Sequence, residues 1–150
     1  MSISDNKAVV QSYFKLFSTN QFDKLYDLLT DDFQLVGKGK TTNNHRMSKA
    51  QTKAAFEAMP RIVASPFQIT INQMTAEENR VAVEAVSRVE LRDGHIYSNN
   101  YVFLVTLRNG KICEIDEYTC TMTVANEMSA RRGGPVEDSA ALAAAALAKG

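Results

Sequence analysis

Two glutamates, an arginine and a run of aromatic and amide side chains recur along this chain at spacings that could support chemistry. Arg88 and Glu90 stand at i and i+2, so on an extended strand they share one face. Glu117 falls in a later alternation, on the same parity as Cys113, Ile115 and Thr119. Tyr97, Asn99, Tyr101 and Phe103 alternate in the same way. A carboxylate among apolar groups has its pKa raised by desolvation, and a nearby guanidinium pulls it down. Either state can move a proton. The plainer reading of the Arg and Glu set is a structural pair or a solvated strand face, since burying such a pair is costly unless hydrogen bonds complete it. Phenols and an amide among aromatics suit an apolar, ring-containing ligand. They suit a cross-strand ladder at a dimer interface equally well. Parity alone does not say which face points inward.

The first third of the chain must supply helices to cover that face. Val9, Val10, Tyr13, Phe14 and Phe17 fall on one helical stripe. Ser4 is the expected N-cap and Asp5 favours the first turn. Tyr13 is then an amphipathic tyrosine, apolar in body with a polar tip. A second helix restarts at Asn20, carries Phe22, Leu25, Tyr26 and Leu29, and stops at Thr30-Asp31-Asp32. Phe33 to Val36 reads as a short strand, and Gly37 to Asn44 has the composition of a mobile rim loop. Ser48 and Gln51 form a capping box for a third helix through Phe56 and Met59, ended by Pro60 and Ser65-Pro66.

After Pro66 the period changes from 3.6 to 2. Phe67, Ile69 and Ile71 begin it, and Val81 to Leu91 follow after Glu77-Glu78-Asn79. Asp93-Gly94 and Asn109-Gly110 are two-residue hairpin signals. They predict an antiparallel meander whose final strand runs to about Val124. Residues 129–150, with Arg131-Arg132-Gly133-Gly134-Pro135 and an Ala-rich end, read as a flexible tail outside a domain at 1–128.

Composition narrows the classes. The 150 residues are 45% hydrophobic and 23% charged, the mix of one soluble globular domain. Seventeen basic residues balance seventeen acidic ones, which removes the basic excess of a nucleic-acid binder. No apolar run is long enough for a membrane span, and the polar N-terminus carries no secretory signal. Cys113 and Cys120, on one strand, would lie roughly 23 Å apart and could not bond within the chain. Unpaired thiols suit the cytoplasm. His45 in a polar loop and His95 after a turn make no metal site and read as exposed.

Several stretches carry a resemblance. Ala8-Val9-Val10-Gln11-Ser12-Tyr13, Leu29-Thr30-Asp31-Asp32-Phe33 and Tyr97-Ser98-Asn99-Asn100-Tyr101 are similar to SnoaL-like sequences. So is Gly110-Lys111-Ile112-Cys113-Glu114-Ile115-Asp116-Glu117-Tyr118. With the order of elements over residues 5 to 126, the chain resembles the nuclear transport factor 2-like superfamily. That group includes ketosteroid isomerases, SnoaL-like polyketide cyclases and limonene-epoxide hydrolases. The resemblance implies an α+β fold, three N-terminal helices packed on a strongly curved, mixed and mostly antiparallel sheet shaped as a cone. It implies a homodimer through the convex face, to which Tyr118, Cys120, Met122 and Val124 would contribute.

It also implies roles. Tyr13 matches the isomerase tyrosine that donates to a developing enolate, while the isomerase base falls near Gly37, which has no side chain to titrate. Arg88, Glu90 and Glu117 correspond to the arginine and two carboxylates of the epoxide hydrolases, whose water-holding residues fall at about Gln34 and Val36. The expectation is a cofactor-independent isomerase, cyclase or hydrolase, cytoplasmic, acting on a small apolar molecule. Its catalytic set would be Glu117 as base, Arg88, Glu90 and Tyr13. Its ligand-binding set would be Tyr97, Asn99, Tyr101, Phe103, Phe17 and Phe56. The alternative is a ligand-binding or assembly module without catalysis.

Overall fold

A computed structural model describes residues 1–40 and 44–128; the expected tail, 129–150, lies outside the described residues. Helix α1, Ile3–Ser18, has its N-cap two residues before the expected Ser4. Ser2 is the N-cap and Asp5 closes a reciprocal capping box with it. The box wins because it satisfies two orphan backbone donors at once. Helix α1 buries Val10, Tyr13 and Phe14, and Asn6 ties it to the sheet by donating to the Glu78 carbonyl at 3.0 Å.

Helix α2 is only Phe22–Asp27. Leu29 does not continue it: strand β1 runs Leu29–Lys38, so Thr30-Asp31-Asp32 lie in a strand and do not stop a helix. The expected rim loop is likewise corrected. Gly37 and Lys38 belong to β1, and strand β2, Asn44–Ser48, pairs with it antiparallel. A five-residue edge strand with polar outward residues shows too little alternation to read in advance. Helix α3, Lys49–Ala58, begins with the predicted Ser48–Gln51 box and passes into a single tight turn, Met59–Arg61.

The meander follows as β3 Gln68–Glu77, β4 Arg80–Glu90, β5 Ile96–Arg108 and β6 Lys111–Thr119. The sheet order is β2-β1-β6-β5-β4-β3. Among the described strands only β1 and β6 run parallel to each other. Asn109 and Gly110 both take positive φ, as the predicted hairpin requires. At Asp93-Gly94 only Gly94 does so, and Leu91 and His95 close a wider turn. Strand β6 stops at Thr119, short of Val124. The chain then coils helically through Thr121–Thr123 and Val124–Met128, where Glu127 meets His95 at 2.9 Å. Met128 joins Val63, Val89, Leu91 and Tyr97 in a small second cluster.

Odd-numbered residues of β4 and β5 are buried and even-numbered ones exposed over most of their length. The main core joins these odd positions to α1, α2 and α3. Helix α1 meets β3, β4 and β6, and α3 meets β1 and β2, so the helices occupy one face of the sheet. Among the described residues no helix is long and apolar enough to cross a membrane.

Phe33 is fully buried in this core. Phe33→Ala should lower the unfolding free energy by about 3–5 kcal/mol, and Ser48→Ala by about 1 kcal/mol. Urea titration would measure both.

Candidate functional site

The inner face of the sheet is laid out in rows by strand register. The lowest row is apolar: Met47, Leu35, Ile115, Val105 and Val81 are successive neighbours. One step along, the row reads His45, Gly37, Glu117, Phe103 and Val83. The next holds Thr119, Tyr101 and Ala85, then Asn99 beside Ser87, then Tyr97 beside Val89. Polar groups therefore accumulate toward one end of a face that is hydrocarbon at the other.

Glu117 reaches the inner face through an irregularity. Ile112 and Ile115 are both buried to within 1%, although strict alternation would turn one of them out. The β5–β6 register shifts between Thr106 and Leu107, which leaves Cys113 as the extra residue of a bulge. Cys113 thereby leaves the parity it was expected to share with Ile115, Glu117 and Thr119, and its Sγ donates to the Thr106 carbonyl.

Three phenols, Tyr13 and Tyr97 buried and Tyr101 partly buried, feel the Glu117 carboxylate. Tyr13, Tyr97 and Tyr101 all have raised pKa values, first because burial disfavours a phenolate. The negative charge of Glu117 raises each further. At neutral pH all three phenols are therefore protonated and able to donate a hydrogen bond. Two sequence-distant elements supply them: Tyr13 comes from α1, and the other two come from β5.

Tyr97, Asn99 and Tyr101 form one hydrogen-bonded unit. The Asn99 amide is oriented by its backbone neighbours. Its Oδ1 accepts from the Asn100 N–H at 2.9 Å, and its Nδ2 donates to the Cys120 carbonyl at 3.1 Å. Nδ2 also donates to the Tyr97 hydroxyl at 2.8 Å, which lowers the Tyr97 pKa against the effect of burial. Ser87, 1% exposed, accepts from the Asn99 N–H and donates to the Tyr101 hydroxyl, both at 3.2 Å. Sequence reading missed Ser87. Its only signal was a small polar residue on the buried parity of β4.

The aromatic candidates divide into two walls. Tyr101 stacks on Phe103 at 5.1 Å, and Phe103 meets Phe14 at 4.8 Å. Phe17 packs edge-on to Phe56 at 5.1 Å and also meets Phe67, which meets Tyr97 at 6.4 Å. The question of which face of β5 points inward is thus decided for Tyr97, Asn99, Tyr101 and Phe103 together.

Arg88 and Glu90 are not brought to Glu117. Both sit on the even parity of β4 and are exposed, on the face opposite Glu117. The set corresponding to the epoxide hydrolases is not assembled, because their i, i+2 spacing placed them together but on the wrong side. His45 also departs from expectation. It is an inward residue of β2, 8% exposed, and not an exposed loop histidine.

Residues 10–115 match the family model of the SnoaL-like domain. No curated protein matches the chain significantly. Among solved structures, PrhC from Penicillium brasilianum superposes with a TM-score of 0.77 at 14% identity, covering 94% of each chain. An NTF2-like protein from Burkholderia xenovorans LB400 gives 0.68 at 19% identity, covering 83% of this chain and 96% of its own. A provisionally assigned polyketide cyclase from Xanthomonas campestris gives 0.68 at 17%, covering 86% and 97%. At these identities the likeness is one of fold, and the fold is the NTF2-like α+β architecture.

Raised tyrosine pKa values link stability to pH. A phenol whose folded pKa lies above its unfolded value of about 10 stabilises the fold fully below that pH. The contribution is lost as pH rises through the folded value. Phenolate absorbance should therefore lag well beyond pH 10 and appear largely with unfolding. Glu117→Gln should bring ionisation of Tyr13, Tyr97 and Tyr101 to lower pH. Unchanged midpoints would place the carboxylate away from all three.

Proposed function

The chain belongs to the SnoaL-like domain family, and on that footing we propose that it is a small-molecule enzyme of the isomerase or cyclase kind. The proposed substrate is apolar and ring-containing, and no cofactor is invoked. Glu117 acts as the acid–base group, and Tyr13, Tyr97 and Tyr101 donate hydrogen bonds to substrate oxygen. One observation carries the reading: strand register sets Glu117 beside Phe103 and one row from Tyr101, on the same inner face as Tyr97 and Asn99. An acceptor beside donors is the pairing that proton abstraction next to a carbonyl needs. The base takes the proton while fixed donors meet the charge that develops on oxygen.

Phe103, Phe14, Phe17 and Phe56 would supply the apolar walls. Asn99 and Ser87 would hold the phenols in place, since the network fixes their hydroxyl directions. The placement of Arg88 and Glu90 on the outer face weighs against the hydrolase form of the reading. A cytoplasmic location remains part of the proposal, supported by the two thiols.

A second reading rests on the outer face. Val102, Leu104 and Tyr118 are about 40% exposed there, beside a shallow groove of about 380 Å³ that Asn72, Glu84 and Asn100 help to line. The proposal includes a homodimer through this surface. Cys120 and Met122 lie beyond the end of β6, so of the expected even-numbered set Tyr118 is the member on the strand. Without catalysis, the same surface would serve an assembly module.

The test uses 1-tetralone in heavy water, with exchange of the protons next to its carbonyl followed by NMR. The protein should accelerate exchange, and Glu117→Gln should remove about a hundredfold or more of that acceleration. Binding of 2-naphthol without any exchange would leave the non-catalytic binding reading. Neither binding nor exchange would leave assembly alone, which sedimentation at micromolar concentration then checks.

A further inference from the structure

We propose that His45 is a second proton-transfer group of this site, facing Glu117 across the notch at Gly37, and that a ligand hydroxyl or carbonyl oxygen enters between them. The proposal rests on the Glu117 reading above and extends it. Its basis is register. Gly37 is paired with His45 on one side and with Glu117 on the other, so the three residues stand in one line across β2, β1 and β6.

They also share a face. Met47, two residues after His45, lies in the main core, as does Ile115, two residues before Glu117. Leu35, two residues before Gly37, lies between them in the same core. Side chains two apart on a strand point the same way, so His45 and Glu117 both extend from the inner face. With neighbouring strands about 4.8 Å apart, their backbones are about 10 Å apart. The position between them is the one place on this row that carries no side chain. Any other residue at 37 would put a Cβ into that space. As a glycine, it leaves room for an imidazole and a carboxylate to address one small group from two sides.

The chemistry of the pair is complementary. Histidine is the side chain whose ordinary pKa lies near neutrality, and a neighbouring carboxylate favours its protonated form. A proton taken from the ligand by Glu117 can then be matched by one given to ligand oxygen by His45, so the ligand gains no net charge. Other inward titratable groups nearby are Tyr13 on α1 and Tyr101 and Tyr97 on β5, each under the influence of Glu117. Charged residues on the adjoining strands are engaged on the outer parity, Lys38 with Asp116 and Arg46 with Glu114. On α3, Lys49 donates to the Leu29 carbonyl and Lys53 lies over the Tyr26 ring. His95, the other histidine, meets Glu127 instead.

The test follows both imidazoles of the full chain by NMR across pH 4 to about 9, with His95→Gln used to assign them. In Glu117→Gln the His45 midpoint should fall by about half a pH unit or more, because an opposing charge has been removed. An unchanged midpoint overturns the proposal. No ligand is needed for that measurement. In the 1-tetralone assay, His45→Gln should cost about tenfold or more and flatten the limb of the pH–rate profile due to histidine. Gly37→Ala should weaken 2-naphthol binding while thermal unfolding confirms the fold. If Glu117→Gln abolishes exchange but His45→Gln leaves both rate and profile intact, the His45 proposal fails and the Glu117 reading stands. If Glu117→Gln leaves exchange intact, that reading itself fails.

Discussion

Ile112 and Ile115 lie three residues apart on one strand, yet both are buried in the core. Only an extra residue, Cys113, reconciles this with the pleat. That bulge sets the parity of everything after it on β6. With Ile115 locked inward between Leu35 and Val105, Glu117 must face inward as well. A shift of one residue would move the carboxylate to solvent and bring Asp116 and Tyr118 inside. The placement of that carboxylate therefore depends on hydrophobic burial two residues away.

A carboxylate on that face needs company, because desolvation of the charged form is costly. The sheet provides it in graded rows. Aliphatic side chains fill the end under the helices. Phenols, an amide and a serine hydroxyl occupy the other end and satisfy one another. Such a network holds its members in fixed directions, and hydrogen bonds in low-dielectric surroundings reinforce one another. A rigid donor set of this kind can meet charge on a ligand without first reorganising. Gly37 stands on the neighbouring row, paired with His45 of β2 and Glu117 of β6.

The outer face follows the opposite logic. Arg88, Glu90 and Glu84 are exposed there among Val102, Leu104 and Tyr118. Charged and apolar residues are interspersed across these strands.

Much of the architecture was legible in the residues themselves. The helical stripe around Tyr13 and Phe14, the Ser48–Gln51 box and the Asn109-Gly110 hairpin are local devices, governed by spacing within a few residues. The motifs around Tyr13, Tyr97 to Tyr101 and Tyr118 sufficed to place the fold. The pairing of Arg88 with Glu117 was not decided by such spacing. An i, i+2 pattern says that Arg88 and Glu90 share a face, and only packing against α1 says that it is the outer one. Strand β2 was hidden because its partner is β1 and its own alternation is too short to read. His45 was hidden with it. Local spacing determined most of the longer elements and their amphipathic periodicity, because those depend on residues close in the chain. Tertiary structure alone decided which side chains meet, because register, the Cys113 bulge and the strand order join residues some seventy positions apart.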